Sequence, residues 1–110
     1  MKNIILFYPD NDAGDPWVPW SYMVLGVVLK RAGFNPIIID QRVQENWKEL
    51  LNKHIGNTLW IGFSMMIGTT INNSLKVAEY IRKQNKDIPL VYGGPWPTIS
   101  QKLTLSHPNV

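Results

Sequence analysis

The stretch LWIGFSMMIGTT, residues 59–70, contains a strand signal, a loop signal and a helix start in immediate succession. Its first half, residues 59–64, is a short apolar run rich in β-branched and aromatic side chains, which is typical of a buried strand. A loop with Gly68 follows, and a helical pattern begins at Thr69 or Thr70. A buried strand that leads directly into a helix is the building unit of parallel α/β sheets.

Three further apolar runs of the same kind, residues 3–8, 36–40 and 88–92, alternate with segments of helical spacing. This alternation predicts an α/β fold with a doubly wound parallel sheet. We expect residues 1–110 to form one domain, because their length and apolar content suit a single core. The pattern stops where a fifth strand would normally begin, so we expect a fragment of a longer chain, truncated around that strand.

The first helix is predicted to run from Pro19 or Trp20 to Ala32, with Gly33 in the left-handed conformation that ends many helices. Its apolar residues are distributed almost all round the helix, which predicts deep burial. Asn46 is the predicted N-cap of the second helix. The helices are expected to bury three sets of apolar residues: Trp20, Met23, Val24, Leu25, Val27, Val28 and Leu29; Trp47, Leu50, Leu51 and Ile55; and Ile71, Leu75, Ala78 and Ile81.

Composition excludes several classes of protein. The chain has no cysteine, so it holds no disulfide, iron–sulfur cluster or cysteine zinc site of its own. The formal charge of +3 is scattered rather than gathered in a stripe, so we expect no nucleic-acid partner. No apolar run approaches the roughly 20 residues of a membrane span, and no secretory signal is recognisable. We therefore expect a cytoplasmic protein without a membrane partner.

Ligands of open parallel sheets bind beyond the carboxyl ends of the strands, so three loops are candidates for the site. The loop after the first strand, residues 9–19, is long and contains three aspartates. A receiver-type magnesium site would also need an aspartate where this chain has Ser64. A dinucleotide or flavin phosphate loop would need a glycine-rich or hydroxyl-rich pattern that the chain lacks.

The loops after the third and fourth strands suit a large, flat ligand. Met65 and Met66 can adapt to an irregular apolar surface, and Ser64 offers a hydrogen-bond donor and acceptor. The alternative for this loop is core methionine with a helix-capping hydroxyl. After the fourth strand, paired glycines allow close approach to the backbone and two prolines stiffen the loop: Gly93, Gly94, Pro95, Trp96, Pro97 and Thr98.

Over nearly its whole length the chain resembles the cobalamin-binding domains that precede the catalytic barrel of many radical SAM enzymes, including methyltransferases and anaerobic cyclases. The resemblance implies a flavodoxin-like, Rossmann-like fold. The matching features are the strand ending in Tyr8 and Pro9, and residues 19–34, 62–68, 93–98 and 107–110. The relatives often have histidine where this chain has Trp96.

The resemblance implies that cobalamin is the cofactor and that a radical SAM domain of the parent chain, with S-adenosylmethionine and a [4Fe–4S] cluster, is the partner. The nucleotide tail would pass between the loops after the third and fourth strands. We predict no catalytic residue and no metal ligand in the chain itself. The predicted cofactor-binding residues are Tyr8, Pro9, Asp10, Ser64, Met65, Met66, Gly68, Thr69, Gly93, Gly94, Pro95, Trp96 and Thr98.

Cobalamin mutases and methionine synthases carry a D-x-H-x-x-G motif after the first strand, whose histidine replaces the tail base on cobalt. The corresponding loop here has no histidine. The resemblance therefore implies a cobalt with neither the tail base nor a protein histidine beneath it. His54 is expected to be a half-buried helix residue, and His107 a loop residue. Two alternatives remain: a degenerate domain that serves only for docking, and a flavodoxin-like binder of another ligand such as FMN.

Overall fold

A computed structural model of the chain describes residues 2–10, 19–64, 69–94 and 100–106. Strands and helices alternate along these residues, as predicted, and a 3-10 helix at Ile55–Asn57 precedes the third strand. The strands and helices are β1 (Asn3–Tyr8), α1 (Trp20–Arg31), β2 (Asn35–Asp40), α2 (Trp47–His54), β3 (Thr58–Ser64), α3 (Thr69–Gln84), β4 (Leu90–Gly93) and α4 (Gln101–Leu105).

The four strands form one sheet in the order β2-β1-β3-β4, and every neighbouring pair is parallel. Ile5 of β1 lies beside Ile37 of β2 on one side and beside Ile61 of β3 on the other. Helices cover both faces, which confirms the predicted doubly wound α/β fold. All four carboxyl ends therefore meet at one edge of the sheet.

Alternate residues of β1 supply the two faces of the sheet, because successive side chains of a strand point in opposite directions. Ile5 and Phe7 pack in the larger core, beneath α2 and α3. Ile4 and Leu6 pack on the other face, beneath α1. The larger core is made of Ile5, Phe7, Ile39, Leu51, Ile61, Phe63, Val77, Ala78, Ile81, Ile88 and Leu90.

The prediction that α1 is deeply buried was wrong. Only Tyr22 and Gly26 of this helix are buried, whereas Trp20 is 69% exposed and Val24 is 62% exposed. One face of α1 packs against β1 and β2, and no described residue covers its outward face. An apolar pattern all round a helix indicates that both of its faces could be buried. It does not show that a second layer of protein packs on the outward face.

Helix boundaries largely follow the predicted signals. Gly33 ends α1 with φ of 92°, and the amide groups of Gly33 and Phe34 donate to the carbonyls of Lys30 and Leu29, each at 3.1 Å. This pair of hydrogen bonds is the Schellman motif, which satisfies the last carbonyl groups of a helix. Asn46 precedes α2 as predicted, but its side chain makes no capping hydrogen bond.

The remaining burial predictions are met in part. In α3, Ala78 and Ile81 are buried, whereas Ile71 and Leu75 are only half-buried. In α2, Leu51 is buried, and its apolar neighbours Trp47, Leu50 and Ile55 are half-buried, as is His54.

The strand β4 begins two residues later than predicted. Asn85 Oδ1 accepts hydrogen bonds from the amides of Asp87 and Ile88, at 2.9 and 3.1 Å. This turn holds Ile88 out of the sheet ladder while its side chain remains in the core. In the described part of the chain, no helix combines the length and apolarity that crossing a membrane requires.

Candidate functional site

The carboxyl ends of the strands bring together residues that are far apart in the sequence. Tyr8 pairs with Asp40 at the ends of β1 and β2, and Ser64 pairs with Gly93 at the ends of β3 and β4. This edge is the place where open parallel sheets bind their ligands. Three of the predicted site residues, Tyr8, Ser64 and Gly93, therefore lie at one edge of the sheet.

A cavity of about 380 Å³ opens at this edge, on the face of the sheet that α1 covers. Its volume lies in the range of small-molecule sites, roughly 300 to 1,000 Å³. Most of its walls are apolar. It is lined by Leu6, Ser21, Tyr22, Leu25, Trp60, Gly62, Phe63, Ser64, Val91, Gly93 and Gly94.

Two glycines lie on the floor of the cavity, and the first of them leaves room for the ring of Trp60. The alternation along β3 and β4 turns Gly62 and Gly93 toward the same face as Trp60 and Val91. A Cβ atom on Gly62 would lie only 2.8 Å from Cζ3 of Trp60. Val91 remains 47% exposed on this floor. The sheet surface between α1 and β4 is consequently open to a ligand.

Gly93 and Gly94 form the rim of the cavity at the end of β4. Gly94 has φ of 94°, a conformation that residues with a Cβ adopt only with strain. A glycine is therefore needed where the chain leaves the strand, and it brings bare backbone to the rim. The paired glycines lie where the sequence predicted them to meet the ligand.

Tyr22 builds the wall of the cavity and was not predicted as a site residue. Its hydroxyl donates a hydrogen bond to the carbonyl of Phe7 at 2.5 Å and accepts one from the amide of Ser64 at 2.7 Å. Burial raises the pKa of this hydroxyl well above its ordinary value, so it remains protonated as a donor. A tyrosine among the aliphatic residues of α1 is the signal, because a buried phenol needs a partner.

Tyr8 takes part in a second cluster beside the cavity. Its ring contacts the Tyr22 ring, with centroids 5.1 Å apart, and the Arg42 guanidinium, which lies 3.8 Å from the Tyr8 centroid. Arg42 forms a bidentate ion pair with Asp40, with N–O distances of 2.9 and 2.8 Å. The hydrogen bond to Asp40 raises the pKa of Arg42. Tyr8 thus packs against Tyr22 and is not among the residues that line the cavity.

The start of the loop after β1 is hydrogen-bonded to the segment after β2 and to α3. The amide of Asp10 donates to Oε1 of Gln41 at 2.9 Å, and the carbonyl of Asp10 accepts from Nδ2 of Asn73 at 2.5 Å. Pro9 is buried beneath this point. These contacts fix where the chain leaves β1, and the predicted contact of Pro9 and Asp10 with the cofactor stays a prediction.

The remaining predicted site residues are only partly described. Thr69 is the first residue of α3. Six other predicted residues lie outside the described part of the chain: Met65, Met66, Gly68, Pro95, Trp96 and Thr98.

No group of three or more histidine, cysteine, aspartate or glutamate side chains able to hold a metal occurs among the residues that the structure describes. Among those same residues, the Tyr92 hydroxyl is buried without a hydrogen-bond partner. The Tyr92 ring stacks on Phe63, with centroids 5.1 Å apart, and belongs to the core on the opposite face from the cavity. Burial raises the pKa of Tyr92 as well.

The donors and walls of the cavity define what it can hold. Apolar side chains line its interior, and hydroxyl groups and glycine backbone lie at the strand ends. This arrangement fits an elongated ligand that has a flat apolar group at one end and a polar chain at the other.

Comparison with known proteins gives one match. The family model of the B12 binding domain matches residues 11–110. No curated protein and no solved structure matches the chain.

Proposed function

The chain belongs to the B12 binding domain family, and from this premise we propose that it is the cobalamin-holding module of a radical SAM enzyme. In this proposal the nucleotide tail of cobalamin enters the cavity between α1 and the β3–β4 half of the sheet. The corrin ring lies over the carboxyl ends of the strands. Cobalamin binding follows from the family, and its placement in this chain is our inference.

The observation that supports this placement is the open floor of the cavity. Gly93 and the exposed side of Val91 leave the sheet surface open along β4, and the cavity extends from there to Ser64 and Gly94. The tail of cobalamin combines a flat aromatic base with a ribose and a phosphate. The apolar interior of the cavity suits the base, and its polar rim suits the ribose and phosphate.

The residues of this chain would hold the tail in different ways. Ser64, at the rim, can donate and accept through its hydroxyl. The Gly93 and Gly94 backbone would contact the ribose and phosphate, where no side chain intervenes. Met65, Met66, Gly68, Thr69, Pro95, Trp96 and Thr98 are proposed to contact the cofactor from the same two loops.

We propose that the cobalt has no lower ligand from this chain. The sequence between β1 and α1 contains no histidine, and the histidines of the chain are His54 and His107. His54 ends α2, which precedes β3 and therefore lies toward the amino-terminal edge of the sheet. With its base in the cavity, the tail would also leave the cobalt, so the cofactor would be bound in the base-off form.

The experiment is a visible-absorption titration of the 110-residue chain with hydroxocobalamin and methylcobalamin at neutral pH. Saturable binding with a base-off spectrum supports the proposal. Gel filtration after the titration shows whether cobalamin stays with the protein: cobalamin that is retained with a base-on spectrum contradicts the lower-ligand part of the proposal, and the absence of retained cobalamin at any ratio contradicts cobalamin binding by this chain. FMN serves as the comparison ligand, because retention of FMN alone would indicate a different binder.

The radical SAM assignment has its own test at the level of the gene. If the chain is a module of such an enzyme, the open reading frame encodes a C-x-x-x-C-x-x-C run for the iron–sulfur cluster in the same polypeptide. A parent sequence without that run contradicts the assignment and leaves cobalamin binding untouched.

A second candidate function is docking, which the outward face of α1 favours. Trp20, Val24, Val27 and Val28 are each more than half exposed there, and contiguous apolar surface of this kind is typical of an interaction site. A degenerate domain that has lost cobalamin would still use this face. The titration separates the two functions, because a pure docking module would leave the cobalamin spectrum unchanged.

A further inference from the structure

Trp60 forms the inner wall of the cavity. It lies in β3 beside Ile4 of β1 and packs with the small core beneath α1. The edge of its indole ring extends over the next residue on the same face, Gly62. A Cβ atom on Gly62 would lie 2.8 Å from Cζ3 and 3.6 Å from Cε3 of Trp60. The indole therefore lies along the sheet surface, at the end of the cavity away from the strand ends.

The inner part of the cavity offers a buried ligand few hydrogen bonds. Leu6, Leu25 and Val91 line it together with Trp60, and no charged side chain is among the described residues that line it. The Tyr22 hydroxyl already donates to Phe7 and accepts from Ser64. Polar side chains occur at the rim, in Ser21 and Ser64.

A wall of this composition discriminates between flat bases of similar size. A benzimidazole base with methyl substituents presents apolar edge to Trp60 and Leu25. A purine base would present an exocyclic amine and ring nitrogens to the same wall, and these groups would lose their water without gaining partners. An apolar pocket rejects a polar isostere by a modest factor, roughly 10- to 100-fold.

We infer that Trp60 is a specificity-determining residue, which makes the cavity select corrinoids with a benzimidazole tail over corrinoids with a purine tail. The inference rests on the proposed function, because it needs the tail in this cavity.

The test is equilibrium dialysis of the 110-residue chain against three corrinoids: cobalamin, the analogue with adenine as its tail base, and cobinamide, which has no nucleotide tail. We expect cobalamin to bind at least tenfold more tightly than the adenine analogue, and cobinamide to bind more weakly than cobalamin. Trp60→Phe should keep the preference, because the wall remains apolar. Trp60→Gln should reduce it severalfold by supplying an amide to the base.

Val91→Thr is the second variant, because Trp60 also packs beneath α1 and its loss could affect folding. Val91 is 47% exposed, and threonine keeps its shape and its β-branching. The new hydroxyl on the floor should also improve the affinity for the adenine analogue relative to cobalamin. Circular dichroism of each variant establishes that it is folded before its affinities are compared.

The possible outcomes separate the inference from the proposed function. Equal affinity for cobalamin and the adenine analogue, with weaker cobinamide, overturns the selectivity and leaves the proposed function standing. Cobinamide as tight as cobalamin shows that the tail adds nothing to binding, which overturns the inference. If none of the three corrinoids binds, the proposed function is overturned and the inference with it. A preference for cobalamin that Trp60→Gln and Val91→Thr both reduce supports the inference.

Discussion

The hydroxyl of Tyr22 accepts a hydrogen bond from the backbone amide of Ser64 across 2.7 Å and so joins α1 to the carboxyl end of β3. The same hydroxyl donates a hydrogen bond to the carbonyl of Phe7, near the end of β1. One side chain thereby fixes a helix against two strands at the wall of the cavity. The position of Ser64, a proposed ligand contact, depends on this link.

Tyr22→Phe tests the link. The substitution keeps the ring and leaves the Ser64 amide without this acceptor, so we expect the free energy of unfolding to fall by about 1–3 kcal/mol. Tyr80→Phe is the matched control, because its exposed hydroxyl lies 3.2 Å from Oδ1 of Asn52, and it should cost less than about 0.5 kcal/mol. Urea denaturation measures both, and equal losses would show that the Tyr22 hydroxyl has no special role.

The alkaline limit of stability should depend on the buried tyrosines. Burial raises the folded-state pKa of Tyr22 and Tyr92 above the ordinary value of about 10. Below that pH both states hold the proton. Above it the unfolded state releases protons that the folded state retains, so stability falls as the pH rises toward the folded-state pKa. The double variant Tyr22→Phe/Tyr92→Phe should show a smaller slope in urea denaturation between pH 9 and 11, and an unchanged slope would refute this explanation.

Gly62→Ala tests the open floor of the cavity. The added methyl group would meet the Trp60 ring at 2.8 Å, so the ring must shift and the inner wall of the cavity must change shape. We expect the affinity for cobalamin to fall about tenfold, which corresponds to about 1.4 kcal/mol. Gly56→Ala is the control, because a Cβ there meets nothing within 4 Å. Equilibrium dialysis compares the variants, and an unaffected Gly62→Ala would place the ligand elsewhere.

The ion pair beside the cavity should contribute to stability far more than a surface pair does. The side chains of Arg42 and Asp40 are only 3% and 11% exposed, so Arg42→Met would leave a buried carboxylate and cost about 3–5 kcal/mol. Lys83→Met breaks an exposed pair with Glu79 that spans 4.0 Å, and it should cost less than about 0.5 kcal/mol. Thermal unfolding distinguishes the two, and similar shifts for both variants would contradict the burial argument.

The alternation of apolar runs and helical spacing predicted the fold to within one or two residues at most boundaries. It succeeded because the strands lie in a sheet with helices on both faces, where local pattern and burial agree. The burial of α1 could not be predicted in the same way. Val24 and Val27 are as apolar as core residues, yet their exposure depends on what packs over the helix, and a local pattern does not contain that information.

The rule that ligands bind at strand ends led to Ser64, Gly93 and Gly94 as candidates, and the structure places all three at the cavity. How the cavity is built could not be predicted from the sequence. The contribution of Tyr22 depends on how α1 turns against β1 and β3, and the placement of Tyr8 depends on Arg42 beyond the end of β2. Both are contacts between segments far apart in the sequence. Tyr8 lies at the end of β1 with its ring against Tyr22 and Arg42, and its contact with the ligand stays a prediction.

The most direct test of cobalamin binding in this cavity is an NMR titration of the ¹⁵N-labelled chain with hydroxocobalamin. Signals of the Ser64, Gly93 and Gly94 amides and of the Trp60 indole should shift saturably, because these groups line the cavity. Gly33 and Gly56 precede β2 and β3 at the opposite edge of the sheet and should not shift. Shifts that cluster on Gly33 and Gly56, or no shifts at all, would contradict the claim that this cavity holds cobalamin.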